Sequence, residues 1–504
     1  MRIRPSAAIS LATPCLLRSC ARSGSRTLLR PIASGLTRDQ TSATRLPTRQ
    51  YATVAASELQ FGQPVYETHP HILKAGELTP GITAQEYHDR RAALAQLLPR
   101  GAVAILQAAE IKWRSGAVFY PFRQDSNFLY LTGFNEPEAL AVIQKTGDAP
   151  DDFIFHLHVR PKNPSAEQWS GPWSGVEAAT DVFNADQAGD INKAREALAP
   201  VLKSASRVYT NIDIGKSGSR TKLGDIILSG TTGGGGNVAI DKLQPLVNQL
   251  RVVKSPAEVA NMRHAGRTSG RALTDAMRRA WSGERELAAY LEYGFTREGC
   301  GGPAYVPVVA GGSRANMIHY TLNNARLDPE ELVLVDAGGE YGTYITDITR
   351  TWPVSGRFTP AQRDLYQAVL RVQRAGVSLC RASSGLTLDG IHRATEQALR
   401  NELSRLGFDM SGGNFETLFP HHVGHYIGLD VHDCPGYGRN VALKKGHCVT
   451  IEPGVYVPDD ERWPEHFRGI GIRIEDSVCV DDESPLVLTT EAVKEVVDIE
   501  ALRD

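Results

Sequence analysis

The sequence predicts an α/β domain over residues 59–250 followed by an α+β domain over residues 251–504, behind a basic leader at residues 1–51. Three observations carry this expectation. The 504 residues are 41% hydrophobic and 22% charged, enough to bury a large core in more than one domain. Over residues 59–250 helical spacing alternates with short apolar runs. Beyond Ser255 a long capped helix leads into short strands separated by Gly and Pro. The same composition excludes other classes. No stretch reaches the roughly 18 consecutive apolar residues of a membrane-spanning helix. The seven cysteines (Cys15, Cys20, Cys300, Cys380, Cys434, Cys448 and Cys479) form no CxxC pair and are odd in number, which argues against a disulfide-stapled secreted protein.

The net charge of −2 joins two unlike parts. Residues 1–51 hold nine Arg, no Lys and one acid, Asp39, for +8; the remaining 46 basic and 56 acidic residues give −10. So acidic a body argues against nucleic acid as its partner. The leader is rich in Arg, Ser, Thr and Ala, the composition of a mitochondrial transit peptide rather than a secretory signal. Past Pro14, Arg18, Arg22, Arg26 and Arg30 recur every four residues, with Leu17, Ala21 and Leu28 on the other side of the wheel. This basic amphipathic register suits an anionic membrane surface and an import receptor. The expected location is the mitochondrial matrix, free or peripheral to the inner membrane. Arg49-Gln50-Tyr51-Ala52 resembles the junction that the matrix processing peptidase cuts two residues after an Arg, leaving Tyr51 for a second enzyme to trim.

In the first domain, residues 84–98 have helical spacing, and the apolar runs at 102–106 and 139–143 read as strands. The run from Tyr120 to Phe134 sets polar groups between aromatics, and its spacing predicts a core edge strand with a polar loop. The glycine-rich stretch from Thr231 to Asn237 lacks the Gly-Lys-Ser/Thr of a phosphate loop and reads as a flexible surface loop just before the domain boundary. The second domain opens with Ser255 as N-cap, Pro256 at the first helical position and Glu258 completing a capping box. That helix is expected to run to about Trp281. Two more are expected near 361–381 and 388–406, then short strands over 448–480, an α+β sheet covered by helices on one face.

Acids and histidines gather at the ends of these strands. In Leu332-Val-Leu-Val-Asp336, Leu332, Leu334 and Asp336 share a face, Gly338-Gly339 offers a turn, and the returning strand carries Asp347. An isolated Asp there usually reaches solvent, but two carboxylates on paired strands repel unless a cation lies between them. His421, His422, His425 and His432 fall within twelve residues, four of the chain's 14 His. Their segment lacks HExxH, and Gly424 and Gly428 disfavour a helix, so an extended or looped arrangement is expected. Pro453 biases Glu452 toward an extended backbone at a strand end, with the chain turning away at Gly454. Ile470, Ile472 and Ile474 form one face of a strand, leaving Arg473 to hold a carboxylate and Glu475 to face the site. Asp336, Asp347, His425, Glu452 and Glu475 thus offer four carboxylates and one imidazole. This oxygen-rich set suits Mn²⁺ or a similar divalent ion, and charge balance points to two ions. A paired site supplies a nucleophile near neutral pH and polarises a carbonyl, so hydrolysis is the expected chemistry.

The segments Val335-Asp-Ala-Gly338, Thr346-Asp-Ile-Thr-Arg-Thr351, His425-Tyr-Ile-Gly-Leu-Asp-Val-His432, Thr450-Ile-Glu-Pro-Gly454 and Gly471-Ile-Arg-Ile-Glu-Asp476 resemble the aminopeptidase P family, in order and spacing. Thr68-His-Pro-His71, Gly81-Ile-Thr83 and Phe122-Arg-Gln-Asp-Ser-Asn-Phe128 extend the resemblance through the N-terminal half. It implies an aminopeptidase P N-terminal domain, a pita-bread catalytic domain and a homodimer. By the resemblance Asp347 and Glu475 bridge two metals, Asp336 completes one site, and His425 with Glu452 completes the other. His319 and His432 match substrate-facing positions, and His421, Tyr456 and Arg473 supporting ones. Glu452 would accept the proton of the attacking water, while His432 and His319 donate to the oxyanion or orient the peptide.

With its leader, the chain looks closest to the family's mitochondrial intermediate-cleaving group, which removes one bulky, destabilising residue from the N-termini of imported proteins. The alternatives are a general Xaa-Pro aminopeptidase and, in another class, a non-catalytic peptide-binding scaffold on the same fold.

Overall fold

A mixed six-stranded sheet organises the first half of the chain. The computed structural model describes residues 59–215, 222–232 and 238–504, all within the unit Val54–Asp504. The basic leader and residues 233–237 of the glycine-rich run lie outside the described residues. Helix α1 (Ala84–Leu97) starts where Thr83 caps it, its hydroxyl accepting from the Glu86 N–H. Strands β1 (Ala102–Gln107), β2 (Leu140–Lys145), β3 (Phe153–Val159), β4 (Gln187–Asp190), β5 (Arg207–Thr210) and β6 (Ala239–Asp241) lie in the order β6-β5-β1-β2-β3-β4. β1 runs antiparallel to β2 and parallel to β5.

The run from Tyr120 to Phe134 corrects the expectation of an edge strand. The Asp125 carboxylate accepts from the Phe128 N–H and opens helix α2 (Ser126–Thr132), which closes at Gly133 with φ 68°. Every residue of α2 is buried, so an N-cap and burial on all sides override the local alternation of aromatics.

In the second half, Ser255 and Glu258 form the full capping box of α3 (Pro256–Met277). The helix stops short of Trp281, because the Trp281 indole N–H folds back to donate to the Ala276 carbonyl (2.8 Å). Strands β7 (Val308–Gly311) and β8 (Leu332–Asp336) pair antiparallel. The expected turn at Gly338-Gly339 is also corrected. A Cβ at Gly338 would fall 1.9 Å from the Thr346 carbonyl oxygen, so that glycine serves close backbone approach. β9 (Gly339–Tyr341) instead turns through Gly342 and Thr343, both at positive φ (54° and 67°), into β10 (Tyr344–Ile345). β11 (Thr349–Pro353) then returns antiparallel along β8, with Asp336 opposite Thr349.

Helices α4 (Pro360–Ser378) and α5 (Leu388–Arg405) follow, and the last strands are β12 (Cys448–Ile451), β13 (Gly454–Tyr456), β14 (Gly471–Arg473) and β15 (Asp476–Cys479). One hydrophobic cluster packs Leu273, Val369 and Leu399 of the helices with Val333, Val335, Ile451 and Ile472 of the strands. Another joins Tyr87 and Phe128 of the first half to Tyr344, Ile427 and Leu429 of the second. Among the described residues no helix is long and apolar enough to cross a membrane.

Candidate metal centre

Strand ends and the breaks between strands aim the site's side chains. Asp336 ends β8, Asp347 lies between β10 and β11, Glu452 follows β12 at Pro453, and Glu475 sits between β14 and β15. Glu475 is fixed from behind by Arg350, which is fully buried and donates to the Glu475 carbonyl (2.6 Å) and the Asp476 carboxylate (2.8 Å). His425 lies in irregular backbone, as the glycines indicate. Its N–H donates to Thr450 Oγ1 (3.1 Å), and a Cβ at Gly424 would fall 1.9 Å from the Thr450 carbonyl oxygen.

These five side chains line one cavity of about 310 Å³ together with Tyr305, Arg473, His319 and His432. His319 and His432 are exposed at its mouth, and the His432 ring lies 4.1 Å from that of His425. Arg473, 1% exposed, donates to Asp336 Oδ2 (2.6 Å), Thr349 Oγ1 (3.0 Å) and the Tyr456 hydroxyl (2.9 Å). His421 stands behind the cavity. Its Nδ1–H donates to the His422 carbonyl, leaving Nε2 to accept from the Tyr456 hydroxyl (2.8 Å). Of the four clustered histidines, His422 turns elsewhere, its Nε2 facing Asp389 Oδ1 at 3.2 Å.

Sequence reasoning missed Tyr305. Its hydroxyl meets Asp336 Oδ1 (2.7 Å) and Asp347 Oδ1, tying the two carboxylates together. A lone Tyr between glycine turns gives no sign of this in the sequence.

The cluster is electrostatically strained without a cation. Burial and the neighbouring Asp347 push the Asp336 carboxyl up to about 6. Burial lifts Glu452 to about 7 against the pull of His425 and Arg473, and burial with Asp347, Glu452 and Asp336 holds Glu475 far above the usual carboxylate range. His425 goes the other way from its burial: its contact with Asp347 and the charge of Glu452 raise it to about 9. Its Nδ1–H donates to the Tyr426 carbonyl (3.0 Å), leaving Nε2 aimed at Asp347 (3.5 Å) and Glu452 (3.6 Å), the orientation a ligating imidazole needs.

Divalent metal fits this set. Glu475 Oε1 is buried with no hydrogen-bond partner, and ligand atoms of Asp347, His425 and Glu475 lie within 4.8 Å of one another. An orphaned carboxylate oxygen among like charges is a costly arrangement that a cation relieves.

Residues 260–482 match metallopeptidase family M24, and residues 87–209 match the aminopeptidase P N-terminal domain. The chain is 41% identical over 493 residues to intermediate cleaving peptidase 55 of Saccharomyces cerevisiae, covering 96% of this chain and 94% of that protein. It is 37% identical over 463 residues to Xaa-Pro aminopeptidase 3 of Homo sapiens, covering 88% and 90%. The crystal structure of Icp55 from Saccharomyces cerevisiae lacking its N-terminal 58 residues superposes with a TM-score of 0.79 at 42% identity, covering 85% of this chain and 99% of that one.

Proposed function

The chain belongs to metallopeptidase family M24 and is a metal-dependent aminopeptidase of pita-bread fold, and from that premise we propose that it removes a single bulky N-terminal residue from imported mitochondrial proteins after presequence cleavage. In this reading residues 1–51 are the presequence, residues 59–250 the aminopeptidase P N-terminal domain and residues 251–504 the catalytic domain. The enzyme works as a dimer in the mitochondrial matrix. The observation that carries the reading is the convergence of Asp336, Asp347, His425, Glu452 and Glu475 from separate segments into one cavity with His319 and His432 at its mouth.

Those five side chains would hold two divalent ions, Mn²⁺ by their oxygen-rich character. When bound, the ions supply a nucleophile from water at neutral pH and polarise the scissile carbonyl. Glu452 takes the proton released by the attacking water and returns it to the leaving nitrogen, a role its place in the cavity beside His425 allows. His432 and His319 orient the peptide and donate to the oxygen that gains charge. Arg473 keeps Asp336 ionised and aimed, and Tyr456 with His421 keeps Arg473 in place. The substrate α-amine enters in its neutral form, at a cost of about 1 kcal/mol near neutral pH.

Comparing hydrolysis of a Tyr-Ala-Thr peptide with an Xaa-Pro peptide tests the specificity. Faster release of Tyr supports the reading, whereas exclusive cleavage before Pro replaces it with a general Xaa-Pro aminopeptidase, the activity for which the human relative is named. Glu452→Gln should leave the protein folded and nearly inactive; near-normal turnover in that variant would sink the assignment. Tyr51 has the character of a substrate residue, so a mature form beginning at Tyr51 in active cells would count against self-trimming.

A further inference from the structure

We infer that Arg251 is a positioning residue for this reaction, bracing the loop that carries His432 against the N-terminal half of the chain; the inference rests on the role given to His432 above. Residues 428–434 form a tight loop closed by the Asp433 N–H donating to the Tyr426 carbonyl (2.8 Å) and the Gly428 N–H donating to the Asp430 carbonyl (3.1 Å). Cys434 leaves the loop at φ 52°, a conformation a non-glycine residue holds only when its surroundings enforce it. Val431 and His432 line the catalytic cavity, and the carboxylates on either side of them, Asp430 and Asp433, do not.

Both carboxylates are gripped by Arg251, which is 2% exposed. Its Nη2 donates to Asp430 Oδ2 (2.7 Å) and to Asp433 Oδ1, and its Nη1 donates to Asn127 Oδ1 (2.7 Å) in α2. Lys254 completes the grip on Asp433 (2.9 Å), and the first half adds Ser126, whose hydroxyl donates to Asp430 Oδ1 (2.6 Å). A Cβ at Gly428 would come within 2.7 Å of both Asp433 Oδ2 and Lys254 Cε, so glycine there is what admits the pair. A buried cation network of this kind contributes little to stability compared with an apolar packing of the same volume. What it does supply is a fixed stretch of backbone under His432, which lies two residues from one anchored carboxylate and beside the other. The planar fork of Arg251 reaches three acceptors on two chain segments, which a lysine ammonium at the same position does not.

The test is steady-state hydrolysis of a Tyr-Ala-Thr peptide by the metal-loaded full chain, with Arg251→Lys and Asn127→Ala each made alone and with His432→Ala. With His432 present, Arg251→Lys should lower kcat about 10- to 100-fold at nearly constant KM and unchanged metal content, the size expected when a reacting group shifts by about 1 Å. With His432 removed, the same change should cost less than about twofold. Asn127→Ala, which removes one acceptor and keeps the ion pairs, should show the same dependence more weakly, and it carries the test if Arg251→Lys fails to fold. Equal losses in both backgrounds, or wild-type kcat in both single variants, would overturn the brace while leaving the proposed activity standing. Wild-type turnover by His432→Ala itself would overturn the role of His432 and the brace with it.

Discussion

Glu475 shows how the site trades stability for binding. It is 1% exposed, takes one hydrogen bond from Thr349 Oγ1 (2.7 Å) and leaves its other oxygen unpartnered beside further carboxylates. Glu475→Gln removes an acid whose ionisation burial and that crowd penalise, while keeping the shape. The metal-free variant should therefore melt at or above the metal-free wild type, while bound metal per chain falls sharply. Thermal unfolding in chelator and elemental analysis after reconstitution check the two halves of this expectation, and a metal-free variant that melts well below wild type counts against it. The residue scale was also where the sequence spoke most clearly. Four of the five ligand candidates, Asp336, Asp347, Glu452 and Glu475, stood at or between strand ends, where the backbone turns and exposes a side chain to a cavity, and His425 stood in a glycine-broken segment. Tyr305 and Arg251 were silent for the opposite reason: each acts through partners tens to hundreds of residues away, and spacing along the chain carries no trace of such contacts.

The start of α3 is an element that joins local and distant structure. Ser255 and Glu258 satisfy one another's backbone donors, and losing such a cap typically costs about 1 kcal/mol. Glu258 does more, since it is 3% exposed, accepts from the Tyr344 hydroxyl (2.8 Å) and lies 3.5 Å from buried Arg90 of α1. Ser255→Ala should lower unfolding stability by about 1 kcal/mol, and Glu258→Ala by at least about twice that, because it also strips a buried cation of a partner. Denaturant midpoints at constant slope measure both; equal losses would show that the contacts to Tyr344 and Arg90 contribute nothing beyond the cap. Elements that open on a capping box, α3 and also α4, where Thr359 and Gln362 form one, were legible to within a few residues. α2 was not, since seven residues buried on every side present no amphipathic period, and the true turn at Gly342 and Thr343 was hidden by the glycine pair at 338 and 339, which serves packing.

At the scale of the whole molecule the two halves share a hydrophobic cluster, and their histidines test whether they also unfold together. His156 in β3 and His447 just before β12 are buried, each with a ring nitrogen lacking a partner. Burial lowers both to about 4, helped at His156 by neighbouring His158 and at His447 by Lys254 and Lys444. The unfolded chain, with ordinary histidines near 6.5, binds these protons first. The stability that the neutral rings preserve is thus fully present above about pH 6.5 and is lost as pH falls toward 4. The cavity carboxyls of Asp336 and Glu452, both raised, titrate over part of the same range with the opposite sign, so the informative quantity is a difference. Relative to wild type in chelator, His156→Gln and His447→Gln should each gain up to about 1.4 kcal/mol of unfolding free energy per pH unit between 6.5 and 4. If the shared cluster couples the halves, either variant shifts one common transition, although the two rings lie in different halves of the chain. Two separable transitions, each answering to only one of the variants, would show instead that the halves unfold independently and that the cluster between them is too weak to bind them.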